Sequence, residues 1–286
     1  MKQPTTDFTG LADWIGASER RCDRIMAPAL AGLSATLDRA DPEPEIGGEA
    51  PPLSHWLFFT PRARQSEVAV DGHPVRGGFL PPVPLPRRMW AGGQLEFRHP
   101  LRVGDDLVRE SRVANVDVKQ GRSGALVFVA VSHTIGNAQG AAVIESQDIV
   151  YREAALAGSA QPEPTPARTD EGFRREMKPD PVLLFRYSAL TFNSHRIHYD
   201  RSYATGAEGY PGLVVHGPLV ATLLIDLLRR QFPQATVRRF EFKAVRPLFD
   251  IHRFTLCGRD DGDGRIALWA RNHQGHLAMQ ASAEIC

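Results

Sequence analysis

The segment FNSHRIHYD, Phe192 to Asp200, sets Asn193, His195 and His198 within six residues, and VVHG, Val214 to Gly217, then opens a strongly apolar run. A neutral imidazole titrates close to working pH and can take a proton from water or return one. A carboxamide cannot carry a proton through a turnover, so Asn193 can only orient water or a substrate group. A helix N-terminus offers unpaired N–H groups and the positive end of a dipole, which suits an oxygen gaining negative charge. Pro218 cannot donate, which leaves the Gly217 N–H as the natural donor. Base and donor together suit addition of water to a C=C bond conjugated to a thioester carbonyl. His198 is the candidate base, and His195 serves equally well as a backbone-bonding residue beside the site. His216, placed before a helix, more often caps or packs. A zinc site made of His195, His198 and His216 is opposed by Arg196 between the first two, and by the lack of a nearby cysteine or H-E-x-x-H helix.

These residues need elements to hold them. Val220, Leu223, Leu224, Leu227 and Leu228 recur at helical spacing, with Pro218 suited to a first turn and Arg229 and Arg230 to a last one. Four runs follow: RRFEFKAVRPLF, HRFTLCG, RIALWARN and HLAMQASAEI, with polar turns between them. A similar series precedes them: QLEFRHPLRVGD, LVRESRVANVDV, GALVFVAVSHTI and AAVIESQDIVYRE. Both series alternate with period two and read as antiparallel meanders. Residues 20–38 read as the first half's helix, bent or broken by Pro28. The Pro-rich GGFLPPVPLPRRMW wraps a surface or lines a cleft. Gly92 and Gly93 make no phosphate loop, since no G-x-x-x-x-G-K pattern follows. Residues 156–172, LAGSAQPEPTPARTDEG, read as a linker between domains at 1–155 and 173–286. One helix on a curved antiparallel sheet, repeated, is an α+β plan.

The 286 residues, 42% hydrophobic, suffice for two cores. Lys and Arg number 34 against 33 Asp and Glu, so no overall field recruits nucleic acid or an anionic membrane. An anionic ligand must be held locally. Cys22, Cys257 and Cys286 are odd in number and scattered, which argues against a disulfide framework and fits a reducing compartment. No apolar run suits a signal peptide or a membrane span, and the expected location is the cytoplasm.

At its histidine segment the chain resembles the MaoC-like (R)-specific enoyl-thioester hydratases, in particular the type 2 hydroxyacyl-thioester dehydratases. That family carries D-x-N-x-x-H, followed by an apolar-His-Gly helix start. His198 matches the motif histidine and VVHG the helix start, while Asn193 stands at the aspartate position and His195 at the asparagine. YSALTFNSHRIHYD, LPRRMWAGGQLEFRHPLRVGD and KQGRSGALVFV look like the same branch. The resemblance implies a double hot-dog fold, with one catalytic site per chain in the second half and a non-catalytic, substrate-holding first half. It also implies a CoA-linked acyl substrate, no metal or organic cofactor, and a homodimer. Catalysis then falls to His198, Asn193 and Gly217. Substrate contacts are expected from His195 and His216, and phosphate contacts from among Arg87, Arg88, Lys119 and Arg122. A hot-dog thioesterase and a non-catalytic acyl-CoA binding module are the rival readings.

Overall fold

The computed structural model describes residues 7–121, 124–153 and 163–286. The first half holds β1 (Ser18–Arg24), β2 (Arg87–Phe97), β3 (Asp106–Gly121), β4 (Gly124–Asn137) and β5 (Gly140–Arg152). The second holds β6 (Phe173–Met177), β7 (Val237–Ala244), β8 (Phe254–Asp260), β9 (Arg265–Asn272) and β10 (Leu277–Ile285). All lie in one antiparallel sheet in the order β1-β3-β4-β5-β2-β7-β10-β9-β8-β6. That order places each first-half strand opposite its counterpart, so a pseudo-two-fold axis passes between β2 and β7. Each half is a hot-dog unit, and the expected meanders are its core strands.

The seam between the halves explains the glycine pair of WAGGQL. A Cβ on Gly92 would stand 2.7 Å from the Phe242 carbonyl oxygen, and one on Gly93 would stand 2.6 Å from that of Ser146. The pair therefore lets β2 run close between β5 and β7 where its pairing with β5 slips by a residue.

Three helices pack against this sheet: α1 (Ala27–Thr36), α2 (Pro181–Thr191) and α3 (Gly217–Gln231). The second half wraps α3, whose residues from Leu219 to Leu228 are all buried. Their apolar character all round reflects that burial. Asp226 is the one charged residue among them, and it meets Arg39 at 2.9 Å, Arg175 at 2.8 Å and Arg230 at 2.8 Å. One carboxylate thereby joins the end of α1, strand β6 and helix α3.

The helix expected over 20–38 is instead a strand followed by a helix. Ser18 to Arg24 alternates exposed and half-buried residues, five of the seven charged, and adds to the edge of β3, with Arg24 bonded to Asp106 at 2.7 Å. Such a charged edge strand carries no apolar stripe to announce it. Pro28 lies in the first turn of α1, where its missing N–H costs nothing, and breaks no helix. Between α1 and β2 no helix comparable to α3 occurs among the described residues. Leu53, Leu57, Phe58 and Phe59 fill part of that space. The Pro-rich run covers the remainder, with Val83 and Leu85 packed on Val127, Val129, Val131 and Tyr151. Arg76 pins this run by donating to the carbonyls of Val83, Leu85 and Pro86.

Residues 156–162 of the expected linker lie outside the described residues. Its later part is docked on the second half, where Leu277 N–H donates to Thr165 at 2.8 Å and Ala167 N–H to Gly275 at 2.9 Å.

Candidate active site

Three segments converge at one end of α3. The first begins where α2 stops: Phe192 takes the left-handed conformation, φ 49°, and the Asn193 N–H donates to the Ser188 carbonyl at 2.8 Å. Asn193 Oδ1 then accepts the His195 N–H at 3.0 Å, a local turn that fixes the chain entering the histidine segment. A short helical turn over Arg196–His198 buries His198. Its Nδ1 lies 2.7 Å from the Val214 carbonyl oxygen. A carbonyl only accepts, so Nδ1 carries the proton and Nε2 keeps its lone pair.

The second segment is the start of α3. The His216 ring stacks on that of His198, centroids 3.6 Å apart and planes 19° apart, while its Nε2 lies 2.8 Å from Ser188 Oγ. Tyr187 meets the His216 ring edge-on at 5.1 Å. His216 is thus a wall and an N-cap, with its Nδ1 buried and unpartnered. The Gly217 N–H has no acceptor among the described residues. A Cβ there would come 3.6 Å from the Trp90 carbonyl oxygen, so β2 runs directly past the helix start.

The third segment comes from the first half and escaped the sequence reading. Asp71 Oδ1 accepts the His73 N–H at 2.9 Å, and Oδ2 lies 3.3 Å from His73 Nδ1. The His73 ring sits 4.0 Å, centroid to centroid, from that of His195, which lies 5.3 Å from His198. The loop is clamped: Arg196 N–H donates to the Asp71 carbonyl at 2.9 Å, and Ser194 Oγ to that of Gly72 at 2.6 Å. Gly72 has φ +91°, and any Cβ there would strike the Ser194 carbonyl. DGHP reads only as a turn, and nothing local ties it to a residue 120 positions away.

Burial is the common electrostatic cause. It lowers His198 to about 4, opposed by its bond to Val214, and lowers His195 to about 2, helped by His73 and His198. His216 and His73 are also pushed down, burial first. All four rings are therefore neutral at ordinary pH. Burial alone would raise Asp71, but its bonds to His73 hold it well below the usual carboxylate range.

The basic residues separate clearly. Arg87 is occupied by Glu208, 2.6 Å to its carbonyl and 3.3 Å to its carboxylate, and lies over Tyr210. Lys119 pairs with Asp117 at 3.1 Å on the exposed β3–β4 hairpin, away from the histidines. Arg122 lies outside the described residues. Arg88 is half-buried beside the cluster and has no hydrogen bond or ion pair to its side chain among the described residues. As for a metal, Asp71, His73 and His195 offer ligand atoms within 4.8 Å of one another, and this is not the trio weighed from sequence. The positive charges of Arg88 and Arg76 act on His73 and oppose a cation there.

A neutral histidine of fixed tautomer, a helix-start N–H without an acceptor among the described residues and a double hot-dog frame are what an acyl-thioester hydro-lyase would need. The family model for hydroxyacyl-thioester dehydratase type 2 matches residues 53–250, and the chain belongs to that family. It is 48% identical over 275 residues to the mesaconyl-C(4)-CoA hydratase of Chloroflexus aurantiacus, covering 95% of this chain and 96% of that one. It is 28% identical over 240 residues to the mitochondrial hydroxyacyl-thioester dehydratase type 2 of Schizosaccharomyces pombe, covering 74% and 78%. In fold it is similar to a MaoC-like dehydratase from Phytophthora capsici, with TM-score 0.68, 13% identity and 96% and 97% coverage. It is also similar to a Mycobacterium tuberculosis protein described as having a double hotdog fold, with TM-score 0.57, 14% identity and 95% and 96% coverage. The protein is an enzyme of the hydratase and dehydratase class, acting on acyl thioesters.

Proposed function

We propose that the chain reversibly hydrates a CoA-linked α,β-unsaturated acyl thioester at the His198–Gly217 site. The observation that carries this reading is the 2.7 Å bond from His198 Nδ1 to Val214, which leaves Nε2 as a neutral acceptor, its ring stacked on the His216 that precedes the Gly217 N–H, for which no acceptor occurs among the described residues. In this reading the thioester oxygen accepts from the Gly217 N–H as negative charge moves onto it. His198 Nε2 takes a proton from water while the water oxygen bonds to the β-carbon and the C=C pair shifts to the enolate. The imidazolium then returns that proton to the α-carbon, so one water is added and the base is regenerated. Asn193 holds the histidine segment in place and has its Nδ2 left for water or substrate. His195 links His198 to the Asp71–His73 pair.

Mesaconyl-C4-CoA is the first substrate to try, on the strength of the relative's name, with crotonyl-CoA beside it. Loss of the enoyl absorbance without release of free thiol is the expected result. Thiol release would identify a thioesterase, and binding with neither signal a non-catalytic module. The reading includes a cytoplasmic homodimer. Three cysteines without a disulfide support the compartment, and light scattering tests the assembly.

A further inference from the structure

Arg88 is the feature that the hydration chemistry leaves unused. It lies opposite Tyr151 in the β2–β5 ladder, and Tyr151 is buried in the core, so the Arg88 side chain leaves the sheet on its inner face. Two residues along the same face, Trp90 brings its carbonyl against the start of α3. Its neighbours show what a satisfied guanidinium looks like here: Arg76 is bonded to three carbonyls and Arg87 to Glu208. Among the described residues Arg88 has neither kind of partner, although a half-buried charge without a counter-ion is expensive to hold. Its field reaches both His73 and His195 and depresses both. A cation beside the His73–His195 pair, with no counter-ion among the described residues, is a position for an anion of the ligand.

Two sources of that anion exist, a carboxylate on the acyl group and the phosphates of CoA. Position decides between them, because the phosphates lie a full pantetheine arm away from the thioester that the Gly217 N–H addresses. Building on the proposed hydration, we infer that Arg88 binds a free carboxylate on the β-carbon of the acyl group, selecting half-thioesters of unsaturated dicarboxylic acids. Such a carboxylate would otherwise repel the incoming water oxygen as it gains negative character, and the guanidinium neutralises it. The fork geometry suits a carboxylate bound through two parallel N–H bonds.

The test uses saturated thioesters that cannot react. Succinyl and butyryl groups differ by carboxylate against methyl on the β-carbon, and each is presented on CoA and on pantetheine, which lacks the phosphates. By calorimetry the wild type should bind succinyl over butyryl at least tenfold more tightly on either carrier. Arg88→Gln should abolish that preference, Arg88→Lys should keep part of it, and the glutamine variant should melt no lower than the wild type, since no partner among the described residues is lost. A preference for CoA over pantetheine that disappears in Arg88→Gln would assign Arg88 to phosphate. That outcome overturns the inference, as does a succinyl preference unchanged in the variant, or a lowered melting temperature. Hydration of mesaconyl-C4-CoA by the wild type is read separately, so failure of the reaction and failure of the carboxylate site are distinct results.

Discussion

His198 has its tautomer set by one backbone carbonyl and its basicity set by burial. His198→Ala should cost about a hundredfold or more in kcat/KM, the scale for losing a general base, with the circular dichroism of the fold retained. A folded variant of near-normal rate would remove His198 from the proton path. The sign of the pH effect follows from its depressed pKa. In the proposed reaction the neutral form is active, and burial holds the group at about 4, so activity should persist through pH 6 and 5 and fall only near 4. An acid limb near 6.5 in the kcat/KM profile would show that the free enzyme's base is not this residue. Asn193→Asp keeps the turn bond to His195 and adds a titrating group, so a new carboxylate limb should enter the profile. An unchanged profile would place residue 193 outside proton transfer. The meeting of His198 with His216 and Gly217 was within reach of sequence because the two segments lie close along the chain. Asp71 and His73 were not, because only the folded chain brings that loop onto Arg196 and Ser194.

The elements that present these groups differ in how openly the sequence declares them. The meanders were legible from their period-two alternation, and α3 from an apolar run at helical spacing that is buried all round. Strand β1 was not, since the edge strand SERRCDR has no apolar period, and Pro28 suggested a break where it marks a start. The filling of the first half by a pinned Pro-rich run also leaves no periodic signal. Two variants test elements directly. Gly72→Ala forces a Cβ into the Ser194 carbonyl, so the 69–74 loop must lift and take Asp71 and His73 with it. We expect at least a tenfold lower kcat with little change in melting temperature, and full activity in that variant would mean the loop is dispensable. Asp226→Asn leaves Arg39, Arg175 and Arg230 without their shared charge, a loss of roughly 3–5 kcal/mol by the cost of breaking a buried ion pair. Urea unfolding checks it, and a change under about 1 kcal/mol would show the cluster to be indifferent.

At the scale of the whole molecule the duplication was legible in the repeated meanders, but the joining of the two sheets was not. No sequence pattern states which strand of one half pairs with which of the other, and the only local trace was Gly92–Gly93, needed where β2 meets β7. The pairing runs from Gly92 with Lys243 to Glu96 with Arg239, and it makes one sheet of two. Separation would leave β2 and β7 with bare edges, strip β2 from α3, and expose on the order of a thousand Å² per side, more than a marginally stable domain withstands. Fragments 1–160 and 163–286, the second cut so that Thr165 and Ala167 keep their bonds to Leu277 and Gly275, should each be insoluble or unstable alone. Expressed together they should reassemble and regain enoyl-CoA hydration. The second fragment holds His198 and Gly217 but lacks Asp71, His73 and Arg88, so it should be inactive even if kept in solution. A stable monomeric 163–286 that hydrates an enoyl-CoA by itself would show that the first half contributes neither fold nor site.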